Sequence, residues 1–177
     1  MKIKNKLDKT ALQNELNKLL NLYNSKKLEE SETKAEELIK KFPKVPGLKN
    51  ILGLINSEKR NFINAIRNFE DAIKIDSNFS MAYINLGNVY KLQGRKDLAI
   101  KNYKIAIEKN PNSSMAYNNL GNIYKINNEL NKSIDAYKAA IKIDPKQFVI
   151  HNNLGIAHKI LGNFNDAIPK LLCITNW

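Results

Sequence analysis

Asn85, Asn88 and Lys91 stand three residues apart, and the trio returns as Asn119, Asn122 and Lys125. A third copy reads Asn153, Ile156 and Lys159. On a helix this spacing puts the three side chains on one face. A carboxamide offers both a hydrogen-bond donor and an acceptor. It can therefore pair with the N–H and C=O of an extended peptide, reading main chain rather than side chain. Asparagine is a poor interior helix residue, so helix propensity does not explain the pattern. The lysines favour an acidic peptide or a C-terminal carboxylate. Asparagine makes up about one residue in seven, well above ordinary usage. Composition, or duplication without selection, is thus an alternative source of the match.

Other reactive residues are sparse. His151 and His158 lie seven apart. A helical metal pair needs i, i+4 spacing or a third ligand. Both read instead as packing residues, in places held by Tyr117 and Tyr124 one repeat earlier. Cys173 is the single cysteine, which excludes an intramolecular disulfide and a cysteine zinc cluster. Nothing in the sequence would activate it, so it reads as an inert thiol. There is no phosphate-binding loop, dinucleotide glycine fingerprint or nucleophile elbow. The expectation is no catalytic residue, no metal and no cofactor.

The elements that carry the asparagines follow a period of 34 residues. MAYINLGNVYKLQGRKDLAIKNYKIAIEKNP at residues 81–111 recurs as MAYNNLGNIYKINNELNKSIDAYKAAIKIDP at residues 115–145. Such a period marks an array of helix–turn–helix repeats. Gly53, Gly87, Gly121 and Gly155 keep the register, so repeats begin at Pro46, Ser80, Ser114 and Phe148. An earlier one begins at Leu12, with Leu19 in the glycine place. This predicts an array over residues 12–177, divided as 12–45, 46–79, 80–113, 114–147 and an incomplete 148–177. Residues 1–11 form a polar lead-in.

Each repeat predicts a helix A, such as Ser80–Leu92, and a helix B, such as Lys96–Lys109. Tyr83, Leu86, Gly87 and Tyr90 make one stripe on helix A. A mid-helix glycine costs about 1 kcal/mol against alanine, so its recurrence implies a close approach by helix B. Ala99, Tyr103 and Ala106 supply the facing stripe. Gly94 suits a left-handed cap, and Pro111 and Pro145 stop helix B. Asp76-Ser77-Asn78 and Asp144-Pro145-Lys146 have the composition of turns.

Laid in register, one repeat reads Tyr83, Leu86, Gly87, Tyr90, Ala99, Tyr103, Ala106, Pro111. The next reads Tyr117, Leu120, Gly121, Tyr124, Ser133, Tyr137, Ala140, Pro145. The one before is weaker: Lys49, Leu52, Gly53, Asn56, Ala65, Phe69, Ala72, Ser77. This pattern resembles the tetratricopeptide repeat (TPR): a large residue, Leu-Gly, Tyr, then Ala, Phe or Tyr, Ala and Pro. The resemblance covers residues 12 to about 168. It implies an all-α fold, a right-handed superhelical solenoid of antiparallel helix pairs with four to five repeats. It also implies a concave side lined by A helices, which in this family commonly binds peptide segments of partner proteins. The row at Asn85, Asn119 and Asn153 resembles the asparagine ladder in the repeat arm of O-linked N-acetylglucosamine transferases and in kinesin light chains. The family's carboxylate clamp also needs a Lys one turn before the second Asn. Ile84 and Asn118 stand there, so only the asparagine half of the clamp matches.

The last repeat departs from the pattern. His151, Leu154, Gly155, Gly162 and Ala167 fit, but Pro169 falls inside the expected helix B, where proline costs about 3 kcal/mol. The LLCITNW that follows supplies no polar capping helix. Two readings stay open. The chain ends here with Trp177 folded over the edge, or it is a piece of a longer reading frame. By family analogy the second would make it the substrate-recruiting arm of a larger bacterial glycosyltransferase or sulfotransferase. The uncapped end is also where a second copy would associate.

Of the 177 residues 43% are hydrophobic and 26% charged, with a formal net charge of +12. That charge invites a nucleic-acid reading. Yet Arg60, Arg67 and Arg95 are the only arginines, and guanidinium is the better phosphate binder. The lysines are also spread along the chain, so nucleic acid is not favoured. The N-terminus lacks the apolar run of a secretory signal. No stretch approaches the roughly 20 apolar residues of a membrane span, so no membrane partner is expected and the chain reads as cytoplasmic. The leading expectation is a non-catalytic protein–protein interaction module that holds an extended peptide on its concave face, with acidic peptides favoured by the lysines.

Overall fold

The computed structural model describes the backbone of residues 2–162 and the side chains of residues 10–162. Among the described residues every regular element is an α-helix. The helices are α1 (Lys2–Asn24), α2 (Leu28–Lys41), α3 (Pro46–Glu58), α4 (Phe62–Ile75), α5 (Ser80–Leu92), α6 (Lys96–Lys109), α7 (Ser114–Ile126), α8 (Leu130–Ile143) and α9 (Phe148–Ile160). The fold is all-α and built of consecutive helix pairs. Helices α3, α5, α7 and α9 start at 34-residue intervals. Helix α1 begins at Lys2, so the polar residues read from sequence as a lead-in are helical. The expectations for Pro169, Cys173, Trp177 and the second helix of the last repeat lie outside the described residues.

Local chemistry explains the helix ends. Pro46 opens α3 at its first turn, where a missing N–H is harmless. The Asn61 side chain accepts from the Asn64 N–H, and the Ser113 side chain from the Ala116 N–H. Each satisfies a donor that the helix cannot. After each described B helix from α4 onward, an aspartate or asparagine turns the chain. Asp76 accepts from the Asn78 N–H at 2.9 Å, Asn110 from Asn112 at 3.1 Å, and Asp144 from Lys146 at 3.2 Å. These are Asx turns, again 34 residues apart.

The turn between helix A and helix B repeats as strictly. Lys26, Arg60, Gly94, Asn128 and Gly162 have φ of 60°, 60°, 74°, 59° and 84°. All five are left-handed, and all stand 34 apart. Lys26 and Arg60 hold a conformation that costs an ordinary side chain about 1–2 kcal/mol. The backbone therefore keeps the repeat where the sequence has let it drift.

The chain divides into two compact parts, Met1–Ala82 and Tyr83–Trp177. In the first, Leu19, Ala35, Leu38, Leu48, Leu52 and Ile55 form one buried cluster. In the second, Ile84, Ala99, Tyr103, Ala106, Ala116, Leu120, Ile123 and Tyr124 form another. A third gathers Ile134, Tyr137, Ala140, Ile150, Leu154 and Ala157. Each cluster joins helices of adjacent repeats. Fully burying one Leu or Ile contributes about 1.5–3 kcal/mol, so the interfaces between repeats carry the fold.

A notch at the recurring glycine locks three of the pairs. A Cβ built on Gly53 would lie 2.5 Å from Phe69 Cε1; on Gly87, 2.6 Å from Tyr103 Cε1; on Gly121, 2.6 Å from Tyr137 Cε1. No side chain fits there. The aromatic of helix B fills the place that the glycine vacates. Beside the third notch Ser133 replaces the alanine of earlier repeats. Its hydroxyl is satisfied by donating to Gly121 O at 2.9 Å.

Candidate functional site

Helices α5, α7 and α9 carry the asparagines, and all the candidate positions fall within Tyr83–Trp177. Asn88, Asn119, Asn122 and Asn153 are half-buried. Asn85 is buried, at 8% exposure. Lys91 and Lys125 are half-buried and Lys159 is exposed. The three helices read SMAYINLGNVYKL, SMAYNNLGNIYKI and FVIHNNLGIAHKI. None contains Asp or Glu. The acidic residues of this part sit elsewhere, as Asp97 and Glu108 on α6 and Asp135 on α8 do.

The amides are tied to one another across repeats. Asn119 Nδ2 donates to Asn88 Oδ1 at 3.2 Å. Asn153 Nδ2 donates to Asn118 Oδ1 at 3.1 Å. Neither pair is close in sequence; stacking of successive A helices brings them together.

Two phenols tie the same amides to helix B. Tyr103 Oη donates to Asn88 Oδ1 at 2.8 Å, and Tyr137 Oη to Asn122 Oδ1 at 2.7 Å. The sequence spacing puts Asn88 and Asn122 on one face of helix A, and the structure shows helix B reaching that face. The rings pass the Gly87 and Gly121 notches, and their hydroxyls emerge beside the amides. Burial pushes both phenols above the ordinary tyrosine range, Tyr137 to about 12. Both stay protonated near neutrality and keep donating. Lys125 Nζ lies 5.9 Å from the centre of the Tyr137 ring, and burial holds its ammonium below the ordinary lysine range.

Apolar side chains flank the amides. Met115, Asn119, Asn122 and Ile126 follow at spacings of four, three and four, which is one helical stripe. Val149, Asn153, Ile156 and Ile160 repeat it. Met115, Val149, Leu92, Ile126 and Ile160 are all exposed, Val149 at 68% and Leu92 at 62%. Exposed aliphatic groups in register on successive repeats suit a macromolecular partner better than solvent.

Of the other reactive residues, the two histidines lie among the described residues. His158 is buried. His151 Nε2 lies 2.9 Å from Pro145 O and donates to it. Among the described residues no group of three or more His, Cys, Asp or Glu could hold a metal ion. No described helix is long and apolar enough to cross a membrane.

Family models match in tandem along these repeats. Tetratricopeptide-repeat models match residues 47–79, 80–113 and 102–135, and a TPR-repeat model matches residues 121–162. The chain belongs to the tetratricopeptide-repeat family. Solved structures agree on its fold. PilF of Pseudomonas aeruginosa is similar with a TM-score of 0.83 at 13% identity, over 92% of this chain and 74% of that one. TTC0263, a thermophilic TPR protein of Thermus thermophilus, reaches 0.74 at 19%, over 90% and 87%. YrrB, described as a TPR protein with an unusual peptide-binding site, reaches 0.65 at 19%, over 89% and 81%. At such identities the likeness shows the fold, a TPR solenoid of stacked helix pairs. Among curated protein sequences none matches significantly.

Within the TPR frame, three residues that the sequence marks only as packing or clamp positions join the site. Asn118 is the acceptor for Asn153, and Tyr103 and Tyr137 anchor the amides. A signal for the tyrosines exists 15 residues upstream of each. Phe69 stands 15 after Leu54, Tyr103 after Asn88 and Tyr137 after Asn122. A phenol occurs where there is an amide to bond, and a plain phenyl where there is not.

Proposed function

We propose that this TPR array is a non-catalytic interaction module. It holds an extended segment of a partner protein against α5, α7 and α9, the concave side of the array. The observation that carries the reading is the set of partly satisfied amides on successive A helices. Asn119 and Asn153 each commit one N–H to the neighbouring repeat. A carboxamide has two donors and two acceptor lone pairs, so each keeps a donor and its oxygen for a ligand. Asn85, being buried, contributes packing more than an accessible amide. The exposed aliphatic residues at either end of the stripe receive apolar side chains of the segment. Lys91, Lys125 and Lys159 favour acidic ones. TPR domains generally bind proteins or peptides, and the printed description of YrrB names a peptide-binding site.

The test is capture of peptides from a random-peptide display library by the immobilised chain. The double substitution Asn119→Ala with Asn153→Ala is expected to weaken capture about 10- to 100-fold. Two lost hydrogen bonds at about 0.5–1.5 kcal/mol each account for that. Helical content by circular dichroism should be unchanged. Undiminished capture by a folded double variant contradicts the reading.

A further inference from the structure

Asn88 and Asn122 differ from the other amides in which half is used. Two donors converge on Asn88 Oδ1, the Tyr103 hydroxyl and Asn119 Nδ2. Both oxygen lone pairs are thereby engaged. Asn122 Oδ1 accepts the Tyr137 hydroxyl. Among the described residues neither Nδ2 has a hydrogen-bond partner. Neither is a buried unsatisfied atom, so solvent reaches both. Both positions therefore turn an NH2 outward, with the Asn88 carbonyl fully engaged and one of the two lone pairs of the Asn122 carbonyl engaged. Lys91 and Lys125 follow them by three residues, side-chain neighbours on the helix surface. No acidic residue stands on α5, α7 or α9.

We propose that Tyr103 and Tyr137 are positioning residues that set the polarity of the binding face. By holding Asn88 and Asn122 with their NH2 groups outward, they select segments bearing carboxylate side chains over isosteric amides. This rests on the peptide-holding reading above and deepens it. The physical cause is simple. A free carboxamide turns over and meets a donor or an acceptor equally well. A carboxamide whose oxygen is bonded inward turns its NH2 outward and meets acceptors first, and beside a lysine the preferred acceptor is anionic. The chain contains its own comparison at Leu54 and Phe69, where neither the phenol nor the amide is present.

The test uses the full chain and the variant Tyr103→Phe with Tyr137→Phe. Phe69 already fills the same notch beside Gly53, so phenylalanine fits. Each protein selects from a random-peptide display library. The leading wild-type peptide is then synthesised, along with its copy in which Asp and Glu become Asn and Gln. Wild type is expected to prefer the acidic peptide by roughly tenfold, the scale of one charge-assisted hydrogen bond. In the Phe variant the preference should shrink by about threefold or more, the worth of a lost oriented hydrogen bond, while the lysines and the Asn119 bond to Asn88 retain the rest. A second variant, Asn122→Asp, keeps the Tyr137 contact but replaces the outward NH2 by oxygen, and its preference should shrink too. An acid preference undiminished in both variants overturns the proposal. Selected wild-type peptides without acidic residues overturn it as well, while leaving the interaction reading intact. Failure of wild type to enrich any peptide overturns both.

Discussion

Tyr137→Ala is expected to lower stability by about 3–5 kcal/mol, the range for truncating a large buried aromatic. The Tyr137 side chain is completely buried. Its ring fills the Gly121 notch and packs in the cluster with Ile150 and Leu154 of the following repeat. Alanine would leave a cavity at the junction of α7, α8 and α9. Tyr137→Phe removes only the hydroxyl bond to Asn122 and should cost about 1 kcal/mol. Urea unfolding followed by helical circular dichroism measures both. Because repeats stabilise their neighbours, amide exchange in α9 should accelerate while that in α1–α3 stays near wild type. A loss under about 1 kcal/mol for the alanine variant, well short of the usual cost of such a cavity, would show that the notch does not organise the pair.

The second large effect comes from the other side of the same contact. In Gly121→Ala the new methyl would sit 2.6 Å from Tyr137 Cε1 and 2.7 Å from Cδ1. The ring has nowhere to go, because it is buried and its hydroxyl is bonded to Asn122. Alanine gains about 1 kcal/mol of helix propensity, but overpacking of a core costs about 1–3 kcal/mol. The net expectation is a loss of about 0–2 kcal/mol, where an exposed helical site would show a gain of about 1 kcal/mol. In a Tyr137→Leu background the same substitution should become neutral or stabilising. That non-additivity identifies the contact. Equal effects of Gly121→Ala in the two backgrounds would contradict it.

The helices were legible because each repeat buries the same face. The 34-residue register of Gly53, Gly87 and Gly121 predicts α5 as Ser80–Leu92 and α6 as Lys96–Lys109, and the structure has those bounds. The notch was legible too, since a glycine that recurs mid-helix needs a steric reason. Left-handed Lys26 and Arg60 were not, because neither residue type signals that conformation; only their distance from Gly94 does. The N-terminal residues look like a lead-in because they are polar, yet α1 runs through them. The amide network was hidden for a different reason. Its bonds link residues 15, 31 and 35 positions apart. Which oxygen meets which donor depends on how one helix stacks on the next. Composition accounts for the abundance of asparagine, but not for hydroxyls arriving beside Asn88 and Asn122 in register.

A partner's extended segment, on this view, lies along the amides of α5, α7 and α9. The most direct measurement is the side-chain amide NMR signals of the 15N-labelled chain, titrated with its leading library-selected peptide. The NH2 signals of Asn88, Asn119, Asn122 and Asn153 should shift on binding. That of Asn102, which donates to Leu98 O at 2.8 Å on α6, should stay in place. Saturable binding that moves Asn102 or other B-helix amides, and leaves those four signals where they were, would contradict the account.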